Sequence, residues 1–168
     1  MMNHAILAGA VMLGMAAAPV FAADEAFVMK VAKGSMAEVE LGKLAVEKAS
    51  SGAVKQFGQR MVDDHSKANE ELKALAQSKN ISLSPEIGPD EKALRDRLMK
   101  LSGAAFDQAY MKAMVSDHVK DVNEFRIESK SGKDPDVKAW AAKTLPTLEE
   151  HLKMARDTSG AVGTSGNK

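Results

Sequence analysis

Three histidines of the chain recur in one four-residue frame: an acid, histidine, any residue, lysine. The copies are Asp64-His65-Ser66-Lys67, Asp117-His118-Val119-Lys120 and Glu150-His151-Leu152-Lys153. Imidazole is the side chain most readily turned to metal ligation or proton transfer near neutral pH. Each copy lies inside a strongly helical stretch, so the frame implies either a metal site or a buried polar layer. The chain has no cysteine, which removes thiolate from the list of ligands and nucleophiles. No glycine-rich phosphate loop or nucleophile elbow accompanies the histidines, and the pattern argues against an enzyme.

The elements that must position these residues are helices. Ala, Leu, Met, Glu and Lys dominate, all good helix formers, and β-branched runs are absent. The first helix is predicted over 24–49 with Asp24 as N-cap, and the second over 53–78 with Ser51 as cap. The second carries the apolar stripe Val54, Phe57, Met61, Ala68, Leu72 and Leu75. The stripe has a gap after Met61, which Asp64 or His65 must fill. Residues 80–89 read as a loop and 90–101 as a short helix. A third long helix is predicted over 104–129 and a fourth over 135–156, the latter begun by Asp134 as cap and Pro135 at the first turn. Residues 158–168 are rich in Gly, Ser and Thr and are expected to be disordered. Four long helices with two tight turns and one long connection predict an all-α four-helix bundle, with a short extra helix in the connection. Gly42 and Gly58 fall at similar depth on the first two helices and suit either a close backbone approach or the surface.

Depth can be counted at about 1.5 Å per residue. His65 lies 14 residues past Ser51, His118 14 before Gly132, and Glu38 13 before Ser51. All three are mid-helix, and His151 falls about one turn off that layer. Met61-Val62-Asp63-Asp64-His65 also repeats as Met114-Val115-Ser116-Asp117-His118, at an offset of 53 residues. In the metal reading, His65, His118, His151 and Glu38 hold a divalent ion, or copper where Met61, Met114 and Met154 add thioethers. In the structural reading the methionines fill the core, each imidazole packs at the stripe edge, and each adjacent acid is a surface residue.

Bulk properties narrow the setting. Residues 1–22 carry an apolar run, Ala5 to Ala18, followed by Pro19 and Val20-Phe21-Ala22, the layout of a secretory signal cut after Ala22. An uncleaved anchor is the alternative. Residues 23–157 then form one domain that is exported, periplasmic or outer-membrane associated, with no integral membrane segment after signal removal. The 23 basic and 23 acidic residues balance, which argues against nucleic acid as partner and leaves an unknown protein partner as the expectation.

Phe27-Val28 with Gly34-Ser35, Glu38-Val39-Glu40-Leu41-Gly42-Lys43-Leu44-Ala45, Val54-Lys55-Gln56-Phe57, Met61-Val62-x-Asp64-His65 and Leu145-Pro146-x-Leu148-x-x-His151-Leu152 together resemble a bacterial family, "domain of unknown function 4142". The resemblance covers about residues 24–157 and implies a ferritin-like bundle and export, but no established activity. Di-iron bundles use Glu-x-x-His. Here Val62, Val115 and Leu148 stand three residues before the histidines, so ferroxidase chemistry does not carry over. The sequence thus favours a non-catalytic exported bundle serving envelope stress or a partner, with metal binding as the alternative.

Overall fold

The computed structural model describes residues 21–165 of the chain; all but the last two residues of the expected signal segment, 1–22, and the last three residues of the chain lie outside it. Five helices follow one another: α1 (Ala22–Lys48), α2 (Gly52–Ser78), α3 (Pro89–Met99), α4 (Gly103–Ser131) and α5 (Pro135–Ser165). Among the described residues there is no strand, and no helix is long and apolar enough to cross a membrane. The architecture is the expected helical bundle of four long helices, with α3 in the long connection.

Two hairpins, α1–α2 and α4–α5, build it. Packing is dense within each hairpin and sparser between them, where α2 faces α5 and α1 faces α4. Polar contacts at the ends fix the directions. The Asp107 carboxylate, near the start of α4, accepts from Ser50 N–H at 3.0 Å and Ser51 N–H at 2.8 Å in the α1–α2 turn. Asp24, at the start of α1, accepts from the backbone N–H groups of Lys133 and Asp134 in the α4–α5 turn. Thus α2 and α4 run the same way, and residues 79–102 return along the bundle between them. Pro89 opens α3 with Asp90 and Glu91 in its first turn, which complements the helix dipole.

The core has two apolar halves. Near the α1–α2 turn lie Leu41, Ala45, Phe57, Met61, Tyr110, Met114 and their neighbours. Toward the other end lie Val28, Ala32, Leu72, Val122, Phe125, Trp140 and Leu148. The boundary falls at one level on all four long helices: between Ala32 and Leu41 on α1, Met61 and Leu72 on α2, Met114 and Val122 on α4, and Leu148 and Ala155 on α5. That level holds the buried polar residues Ser35, Glu38, His65, His118 and His151.

The glycine pair is a packing device. A Cβ at Gly42 would lie 2.6 Å from the Gly58 carbonyl oxygen, and one at Gly58 would lie 2.8 Å from the Gly42 carbonyl oxygen. Backbones this close exclude any side chain. Three local expectations need correction. Asp24 does not cap α1, which begins earlier, at Ala22; its carboxylate is taken by the distant turn. The Ser51 hydroxyl makes no capping bond, because Asp107 accepts from the α2 entry instead. Finally, the terminal segment is not disordered through its described part: α5 continues past Arg156 to Ser165. Val162 packs on the first apolar half, and Gln108 Nε2 donates to its carbonyl at 3.3 Å. These contacts override the weak helix propensity of Gly, Ser and Thr. Asp134, by contrast, caps α5 as expected, accepting from Asp136 and Val137 N–H groups at 3.0 and 3.1 Å.

Candidate metal centre

His65, His118 and His151 come from α2, α4 and α5 and meet at the polar level. One ring nitrogen from each lies within 4.8 Å of those of the other two. Ring centroids are 5.4 Å apart for His65–His151 and His118–His151, and 6.0 Å for His65–His118. All three are buried, at 5%, 0% and 1% exposure respectively. The gap in the α2 stripe is therefore filled by His65. His151 stands in the same layer rather than a turn away. His151 lies 16 residues past Pro135, two more than the counts for His65 and His118, so the offset along ideal axes is about 3 Å, less than a full turn.

Each ring is held by one nitrogen and leaves the other without a protein partner. His118 Nδ1–H donates to the Met114 carbonyl at 2.9 Å. His151 Nε2–H donates to Asp64 Oδ2 at 2.8 Å. His65 Nδ1 lies 3.1 Å from Ser35 Oγ, whose hydroxyl faces the His65 carbonyl at 3.5 Å, so the ring N–H donates to the serine. The remaining nitrogens, His65 Nε2, His118 Nε2 and His151 Nδ1, are buried and make no hydrogen bond. In a neutral imidazole with one N–H engaged, the other nitrogen carries a bare lone pair. A buried unpaired acceptor costs about 1–3 kcal/mol. Three on rings this close have the form of a ligand set, and anchoring one ring nitrogen is how proteins orient metal-binding imidazoles.

Electrostatics keep the rings neutral. Burial pushes His65 well below its ordinary value, and the neighbouring His118 and His151 add to the effect. Burial, then His151, takes His118 down to about 4. His151 is also lowered by burial, against the opposing pull of Asp64. Burial raises Asp64, but hydrogen bonds from Arg60 and His151 outweigh it and leave its carboxyl lowered, hence charged. Near pH 7 the rings are already in the ligating form, so a metal need displace no proton from them.

Glu38 does not join the group. It is buried at the same level, 1% exposed, with neither carboxylate oxygen hydrogen-bonded. Burial raises it well above the usual carboxylate range, and Asp117 and Asp121 on α4 reinforce the shift. The methionines Met61 and Met114 are core side chains of the first apolar half.

Two contributing residues escaped the sequence reading. Ser35 lies one turn before Glu38 on the buried stripe of α1, and a small polar residue on an apolar stripe was the available signal. Asp64 was one of two candidates to fill the α2 gap, and in the structural reading a surface acid beside its own histidine. It instead serves the histidine of another helix while also pairing with Arg60. Asp117, its counterpart in the repeat, sits by Glu38.

The fold has relatives of known structure at low identity. A DUF305 fragment from Deinococcus radiodurans superposes with a TM-score of 0.73 at 14% identity, covering 88% of this chain and 99% of that one. A structure described as CopM in the Cu(II)-bound form superposes with a TM-score of 0.69 at 13% identity, covering 82% and 96%. At these identities the likeness is one of fold. A comparison with curated proteins gives no match. The model of the family described as domain of unknown function (DUF4142) matches residues 10–158, and the chain belongs to that family.

Proposed function

We propose that the protein binds one divalent transition-metal or copper ion through His65, His118 and His151, as a binding protein rather than an enzyme. The observation that carries this reading is that three buried, neutral imidazoles bring one ring nitrogen each to within 4.8 Å of the others, while every ring is anchored through one nitrogen and leaves its other nitrogen unpartnered. Imidazole ligands suit zinc and copper. Tetrahedral coordination at about 2.0–2.1 Å sets neighbouring nitrogens about 3.3 Å apart, a modest contraction of the present arrangement. The Cu(II)-bound state named for CopM puts copper first among the ions to titrate. Export, suggested by the apolar run before Ala22, would set this chemistry outside the cytoplasm.

The test is calorimetric titration of Cu(II) and Zn(II) into tag-free mature chain. One ion per chain is expected, with a stability gain of about 2.7 kcal/mol when free metal exceeds Kd a hundredfold. A His65→Ala, His118→Ala, His151→Ala variant should lose both. Unchanged binding by that variant would overturn the proposal. The second reading, a polar layer that fixes helix register and serves an unknown partner or envelope stress, draws on the position of the histidines between two apolar halves. It expects only background metal in protein purified from its own host.

A further inference from the structure

A groove of about 780 Å³ runs between α1 and α4, on the side where the two hairpins pack sparsely. Two of the three histidines, His65 and His151, line it; His118 does not. Small residues keep it open near the centre: Gly34, Ser35 and Ala37 on α1, Ala68 on α2 and Ala113 on α4. Among the described residues the close donor group contains three side chains and no fourth His, Asp or Glu. Zinc and copper sites take four or more ligands, and sites with three protein donors complete the set from solution.

We propose that an ion held by His65, His118 and His151 keeps one coordination position facing this groove, and takes there a small nitrogen or oxygen donor from solution. The inference rests on the metal-binding reading above. Acids (Asp64, Asp117) and bases (Lys112, Lys120) both line the groove, so its charge does not by itself select the donor. The groove's volume lies within the range of small-molecule sites, so the opening admits a donor with substituents as well as water.

The experiment uses the tag-free chain loaded with Co(II), whose visible bands report coordination. One equivalent of Co(II) should produce these bands; their absence would sink the metal reading itself. Imidazole is then added, and gel filtration checks that cobalt stays bound. A band shift that saturates at one imidazole per cobalt is the expected result. Bands that do not move while cobalt stays bound would mean a fourth protein ligand, such as a methionine, and would overturn the open position. Gly34→Phe supplies the access test, because a Cβ at Gly34 meets nothing within 4 Å and the ring can enter the groove. It should hold Co(II) as the parent does but weaken imidazole about tenfold or more. Unchanged imidazole affinity would show that the ligand does not come by the groove.

Discussion

The ends of the bundle and its middle both bury polar side chains, and they treat them in opposite ways. At one end Asp107, 2% exposed, accepts from Ser50 N–H, Ser50 Oγ and Ser51 N–H. At the other, Asp134 caps α5 with one oxygen and pairs with Lys79 at 2.8 Å through the other, while Asp24 accepts from the turn. Asp107 and Asp24 are filled by donors of the facing turns, and Asp134 is hydrogen-bonded on one oxygen and ion-paired on the other, so these three tie one hairpin to the other; Glu128 Oε1, at the Asp134 end, is left without a partner. In the middle, each histidine makes one hydrogen bond and withholds the second. Polar groups that serve stability alone are satisfied, since each open valence costs free energy. The contrast is what separates a fastening from a receptor.

Substitutions can break the comparison. Asp107→Ala should have the largest effect, a loss of about 3 kcal/mol in urea unfolding, because three donors lose a charged acceptor; a loss under about 1 kcal/mol would mean the end contacts are ornamental.

Acid should act on the middle with nearly the same size. The folded state holds His118 neutral down to about 4, whereas the unfolded chain takes up that proton near pH 6.5. The unfolded state thus binds more protons between these values, and stability falls as pH drops through that window. Glu38 and Asp121, whose carboxyls are raised, push the other way, so the effect is read as a difference. In metal-free protein, the stability of the parent minus that of His118→Leu should fall by about 3 kcal/mol from pH 6.5 to pH 4. A flat difference would mean that His118 is not shielded.

Asp64→Asn removes the charged acceptor of His151 Nε2–H and should weaken metal binding about 10–100-fold by calorimetry. Equal affinity would remove Asp64 from the site. The smallest effect sharpens the contrast most. His65→Leu, in metal-free protein, should change unfolding stability by less than about 1 kcal/mol, because the lost hydrogen bond with Ser35 is offset by removal of a buried unpaired nitrogen, and an aliphatic side chain of similar reach takes the place of the ring. A loss as large as that of Asp107→Ala would move the histidines into the structural class.

The helices were legible from periodicity, and so was the gap in α2 that only Asp64 or His65 could fill. Mid-helix counting brought His65 and His118 to one level because both distances were measured from tight turns. The site itself was less legible, since adjacent positions on a helix point about 100° apart and sequence does not say which neighbour receives which. Hence the choice between Asp64 and His65 stayed open, Ser35 went unassigned, and Glu38 was placed among the ligands although the close donor group holds only the three histidines. The extent of α5 was hidden for another reason. Its last turns are made by contacts with Gln108 and the first apolar half, which local composition does not encode.

The three imidazoles are split between the hairpins, one on α2 and two on the α4–α5 pair. Any ion they hold is therefore a clasp that closes only after both hairpins have docked. Such a cross-link lies on the native side of the folding barrier, so it prolongs the lifetime of the folded molecule while leaving its rate of formation nearly untouched. Loaded protein would resist proteases and harsh surroundings by opening slowly, and giving up the ion would be the step that sets it loose.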